Sequence, residues 1–117
     1  MKYTISGIPP SLNRFAGRKN HEEYRDKKIL WKNWVCLSCR PRPEQPIEQA
    51  KVTITYFFPD GRRRDPDNYC GKMILDGLTA AGIIVDDDFG RIDLTIRRGG
   101  VDRENPRTEV EVAEKPE

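Results

Sequence analysis

The sequence predicts an α+β fold, a mixed sheet packed by two helices in two layers, and three observations predict it. Lys51 to Phe58 and Arg91 to Arg98 alternate apolar and polar residues with the period of a strand. The stretches from Asn20 to Leu37 and from Pro66 to Ala81 instead carry the spacing and end signals of helices. The elements run in the order β-α-β-α-β-β, which is not the strict alternation of a wound parallel sheet. At 117 residues the chain is expected to be a single domain, 1–117, burying a modest core.

Lys2 to Ile5 reads as the first strand. Gly7-Ile8-Pro9-Pro10-Ser11 stops it, because two prolines remove backbone donors. A loop is expected through about Lys19. Asn20 is placed to cap a helix, with Glu22 and Glu23 near its positive end. Tyr24, Ile29, Leu30, Trp34 and Leu37 recur near helical spacing and predict its apolar side. Lys27, Lys28 and Lys32 form a basic side, read as a solvated face. Arg40-Pro41-Arg42-Pro43-Glu44-Gln45-Pro46 is an extended connector.

Val52, Ile54, Tyr56 and Phe58 give the next strand its apolar face, and Pro59-Asp60-Gly61 ends it. In the helix from about Pro66 to Ala81, proline suits the first position, Asp65 the cap and Gly82 the stop. Ile92, Leu94 and Ile96 share one face of the third strand. Gly99-Gly100 breaks it, and Thr108, Val110 and Val112 carry the fourth. These two strands are expected to form a hairpin with a long loop, and residues 114–117 to be frayed.

Lys and Arg total 21 and Asp and Glu 19, a net charge of +2. That excludes a globally basic nucleic-acid binder, so any such contact needs a local patch. No apolar run approaches the roughly 20 residues of a membrane helix, and the start lacks a signal peptide's apolar core. A cytoplasmic protein with no membrane partner is expected. Three cysteines, an odd number, argue against a disulfide framework. Cys36 and Cys39 have C-x-x-C spacing, but a zinc site would have only Cys70 and the lone His21 to add. They read as two small apolar residues a helical turn apart, and His21 as part of a solvated helix start.

The chemistry-bearing stretch runs from Arg62 to Asp88. Asp65 and Asp67 stand at a strand-to-helix junction, and Asp86-Asp87-Asp88 closes the apolar run Ile83-Ile84-Val85. A helix of roughly 15 residues spans about 22 Å, so the acidic run can return toward Asp65 and Asp67 only if the chain doubles back after Gly82, a return that sequence alone does not guarantee. Carboxylates sharing one space repel by about 1 kcal/mol per pair at 4 Å even in water, and a divalent cation removes that cost. Oxygen-only ligands favour Mg²⁺ or Mn²⁺. Arg62, Arg63 and Arg64 would then hold phosphates beside the metal, the combination that phosphodiester hydrolysis uses. Lys72 can contact phosphate or stabilise a leaving oxygen, or simply pair with Asp76 along the helix. The plain alternative is a charged helix start, an exposed acidic turn and solvated arginines.

Asp65-Pro66-Asp67-Asn68, Lys72, Ile74-Leu75-Asp76-Gly77-Leu78, Ala81-Gly82-Ile83 and Asp86-Asp87, in that order, resemble the RusA family. These are Holliday junction resolvases, or crossover junction endodeoxyribonucleases, common in phages and prophages. Pro9-Pro10-Ser11-Leu12-Asn13 is similar to the family's early P-P-S-x-N segment. The resemblance implies a homodimer that nicks four-way DNA junctions at symmetric positions with Mg²⁺. It implies Asp65, Asp67 and Asp87, or Asp86 in its place, as metal ligands. It makes Lys72 the catalytic lysine, with Asn68 and Asp76 in supporting roles. Three residues separate Asn68 from Lys72, one more than in the family pattern. An extra residue turns a helix by about 100°, so either the first turn is looser here or Lys72 misses the site. A two-fold dimer also follows from the substrate, since two matched cuts need two sites in symmetric positions.

Three rivals remain at this point: a non-catalytic module that binds structured nucleic acid, another metal-dependent phosphoryl-transfer enzyme, and a zinc or redox protein using the cysteines.

Overall fold

In a computed structural model that describes residues 1–16 and 20–116, the alternating segments form β1 (Lys2–Ser6), β2 (Ala50–Phe57), β3 (Ile92–Arg98) and β4 (Arg107–Glu114). The helices are α1 (His21–Ser38), between β1 and β2, and α2 (Lys72–Ala80), between β2 and β3. The α+β order is as expected, with a four-stranded mixed sheet and two helices. The part of the expected early loop at 17–19, and Glu117 of the expected frayed end, lie outside the described residues.

The spatial strand order is β1-β4-β2-β3. β4 runs antiparallel to both β1 and β2, while β2 and β3 are parallel. A parallel pair needs a crossover, and α2 supplies it. The expected β3–β4 hairpin does not form, because β2 stands between the two strands. Residues 99–106 carry the chain past the end of β2 instead. The Gly99 N–H donates to the Tyr56 carbonyl at 2.7 Å, and the Asp102 N–H to the Phe58 carbonyl at 2.8 Å. A Cβ on Gly99 would lie 2.6 Å from a Phe57 ring carbon, so the passage requires glycine.

One row of side chains crosses all four strands: Tyr3, Val110, Ile54 and Ile96. With Ile5, Val52, Tyr56 and Val112 it makes the sheet's inner face, and Met73, Ile74, Leu75 and Leu78 of α2 are buried in the same core. Thr108 is the buried polar exception, and its hydroxyl donates to the Gly7 carbonyl at 2.9 Å. The other face carries Lys2, Thr4, Asp93, Thr95, Arg97 and Glu111 to solvent. β3 lies at the sheet's edge, where Leu94 is 39% exposed, so its expected apolar face is covered mainly at Ile92.

The expected apolar side of α1 is corrected. Trp31 and Val35 are the helix's buried residues, and Ile29, Leu30, Trp34 and Leu37 are exposed. The cause is the close approach of α1 to α2 at Gly77. A Cβ there would lie 2.5 Å from the Val35 Cβ, and this contact turns the Trp31–Val35 side inward. The expected caps are corrected as well. Neither Asn20 nor Asp65 makes a side-chain cap bond. The Asn20 amide instead donates to the carbonyls of Arg14 and Ala16, both at 3.2 Å.

Candidate functional site

Beyond β2 the chain turns through Pro59-Asp60-Gly61 into the three arginines. Asp60 organises them. Its carboxylate accepts from the Arg62 N–H at 3.0 Å and pairs with the Arg64 guanidinium at 2.9 Å. The backbone bond first, and then the Arg64 contact, hold its pKa down to about 2. Arg64 is 14% exposed and stacks over the Phe58 ring at 4.4 Å. Its guanidinium is thereby committed to the turn. Arg62 and Arg63 are 80% and 89% exposed, and Arg63 reaches the Asp65 carboxylate at 3.2 Å.

The single helix expected from Pro66 to Ala81 is two pieces. Pro66–Asn68 form one 3-10 turn, closed by the Asn68 N–H on the Asp65 carbonyl at 3.0 Å. Tyr69 follows and anchors the turn, its ring 5.2 Å from Phe58 and 5.9 Å from Tyr56 in edge-on contacts. Gly71 then takes a left-handed φ of 84°, and α2 begins at Lys72. The first turn is looser than a continuous helix, with the extra residue in the irregular link, and the Lys72 ammonium pairs with Asp76.

The early Pro9–Asn13 segment packs onto this junction. Ser11 and Asn13 share a hollow of about 350 Å³ with Arg62, Arg63, Asp65 and Asn68. Pro9, Pro10 and Leu12 lie beside Tyr69, Gly71 and Lys72. Two motifs more than fifty residues apart in the chain are therefore neighbours in space.

After Gly82 the chain does double back. Ile83, Ile84 and Val85 pair with Ile47, which follows the proline-rich connector, through bonds of 2.9 and 3.1 Å. The acidic run that follows divides by role. Asp86 accepts from the Asp87 N–H at 2.8 Å and Asp88 from the Gly90 N–H at 2.9 Å, so both shape turns. Asp87 is half-buried, and its charge acts on Lys72. The Lys72 ammonium donates to Asp76 at 3.2 Å. That bond and the charge of Asp76, then the charge of Asp87, raise the Lys72 pKa.

Asp65, Asp67 and Asp87 are not drawn into one cluster. Among the described residues no group of three or more Asp, Glu, His or Cys side chains is placed to hold a metal ion. The cysteines are free thiols and form no such group with His21. Cys39 is fully buried, and burial pushes its pKa up to about 11, as for a packing residue. The oxygen donors at the junction still suit Mg²⁺, which keeps several waters and commonly takes one or two carboxylates together with substrate phosphates.

Three features of this region are not visible in the sequence pattern. Asp60 reads there only as a turn former, and Gly71 as part of a helix. Arg25, Lys28 and Lys32 line an open groove of about 630 Å³ between α1 and Asp76 of α2. Their spacing on one helix face is the available signal, whereas the acid of α2 opposite them depends on the packing of the two helices. No helix among the described residues is long and apolar enough to cross a membrane. No protein-family model matches this chain, and no curated protein matches it.

Proposed function

We propose that the chain is a Mg²⁺-dependent, structure-selective DNA endonuclease that resolves four-way junctions by paired symmetric nicks as a homodimer. The observation that carries this reading is the meeting of the Asp65–Asn68 turn, the Pro9–Asn13 segment and Lys72, with Asp87 acting on Lys72.

In this reading Asp65 and Asp67 would hold the ion, for which Mn²⁺ can substitute; Asp87 does not group with them among the described residues and enters through its charge on Lys72, while Asp86 is engaged in its own turn. The ion supplies activation of water and neutralisation of charge on the phosphoryl oxygens. The chain's own residues supply position and positive charge. Lys72 stays protonated through the neutral range and faces the charge that develops as the 3′ oxygen leaves. Arg62 and Arg63 grip flanking phosphates, while Arg64 and Asp60 set the loop that carries them. Asn68 closes the turn that presents Asp67, and Asp76 orients the Lys72 ammonium.

The test is a synthetic four-way junction labelled on each strand in turn, with Mg²⁺, with EDTA, and with the Asp67→Asn protein plus Mg²⁺. Paired symmetric nicks that need Mg²⁺ and vanish in the variant are expected. Tight junction binding with no cut under any divalent metal would favour a non-catalytic binding module. The ion pairs already made by Asp65 and Asp76 would then be purely structural.

A further inference from the structure

We infer that the groove between residues 21–32 of α1 and Asp76 of α2 is the track of a nucleic-acid strand, with Arg25, Lys28 and Lys32 as its phosphate contacts. The inference rests on the nuclease reading and extends it to a surface away from the Asp65–Asn68 turn.

The three cations stand at positions i, i+3 and i+7 of α1, so they share one face and span about 10 Å. All three line the groove of about 630 Å³. Its acids are Glu22 and Asp76, and Asp76 is already paired with Lys72 at 3.2 Å. Among the described residues Arg25, Lys28 and Lys32 make no ion pair of their own. Lys28 is held by the Tyr24 ring, 5.5 Å from its ammonium. Asp76, which lines the groove, holds the Lys72 ammonium, so the groove leads to the proposed catalytic lysine.

A chain of net charge +2 that lines one open groove with three such cations has placed its positive charge locally. An extended polyanion satisfies such a row. A compact metabolite would need convergent polar groups in a closed pocket.

The experiment measures binding of a labelled four-way junction by fluorescence anisotropy, in EDTA, over a salt series. The combined Arg25→Gln, Lys28→Gln, Lys32→Gln protein is expected to lose at least about tenfold in affinity at low salt. Its slope of log K against log salt should shrink by about 2 to 3, at roughly 0.9 for each phosphate no longer neutralised. The Arg25→Lys, Lys28→Arg, Lys32→Arg protein should keep both affinity and slope. An unchanged slope in the glutamine protein, with wild type binding and cutting normally, overturns the groove assignment and leaves the nuclease reading intact. Weaker binding at an unchanged slope also overturns it, because the damage is then to shape and not to phosphate recognition. Wild type that neither binds nor cuts any junction overturns the nuclease reading and this inference together.

Discussion

The Lys72 ammonium and the Asp76 carboxylate lie 3.2 Å apart, one turn along α2, with Asp87 as the next acid whose charge reaches the lysine. The order is base before acid, the weaker one for a helix pair, and the lysine side chain is 47% exposed. The pair is therefore worth only a few tenths of a kcal/mol to the fold. Its larger effect is on the proton of Lys72.

Replacing Asp76 by Asn should lower the Lys72 pKa, and replacing Asp87 by Asn should lower it by less, following the order of their contributions. A pKa raised on folding means that the pair's stabilisation is complete below the unfolded value, about 10.4, and is lost as pH rises through the folded one. An NMR titration of the Lys72 ε-methylene measures this directly. An unshifted titration in the Asp76→Asn protein would refute the coupling.

Lys72→Met should slow junction cutting by about 10²- to 10³-fold, the usual cost of removing one donor aimed at developing charge. Junction affinity in EDTA should change only a few-fold, because the remaining basic residues persist. Single-turnover cutting and anisotropy separate the two effects. Equal losses in both would make Lys72 a binding residue instead.

Two glycine substitutions should separate packing from presentation. Gly77→Ala puts a methyl 2.5 Å from the Val35 Cβ and should cost about 1–3 kcal/mol, read as a lower melting temperature, despite alanine's better helix propensity. Gly71→Ala adds left-handed strain to a clash 2.7 Å from the Ile54 Cδ1, and it lies directly before Lys72. Its cutting rate should fall further than Gly77→Ala's at a temperature where both proteins are folded.

Asp60→Asn should leave a signature in acid. The Asp60 carboxyl is held down to about 2, so its contribution to stability is present above the unfolded value near 3.9 and lost as pH falls through about 2. Thermal melts should show wild type above the variant from neutral pH down to about 4, with the gap closing by about pH 2. A gap that persisted at pH 2 would mean the asparagine acts through shape alone.

The strands are legible in the sequence where one side of the alternation is covered. Val52, Ile54, Tyr56, Val110 and Val112 are all buried as their spacing predicts. Sequence does not decide between two faces that are both apolar. α1 carries Ile29, Leu30, Trp34 and Leu37 as well as Trp31 and Val35, and the contact of Val35 with Gly77 selects the inner face. The expected hairpin is absent because pairing of sequence neighbours is only a tendency, and eight residues suffice to step over β2. At the site, the motif residues are legible by type and order. The break at Tyr69–Gly71 is not, because proline at Pro66 and the apolar residues of α2 fit one unbroken helix equally well. The division of labour among Asp86, Asp87 and Asp88 depends on turn bonds that three identical residues do not reveal.

The placing of β4 between β1 and β2 sets a condition on how the chain is made. Among the described residues β1 has no strand partner other than β4, and β2 pairs on one side with β4 over its whole length. While residues 107–114 are still inside the ribosome, the emerged chain holds β1 unpaired and β2 with an open edge, both lined with apolar residues. The emergence of β4 is therefore followed by a closing step in which a late segment inserts between two early ones. Until then the nascent chain exposes the strand edges that chaperones bind and that drive aggregation.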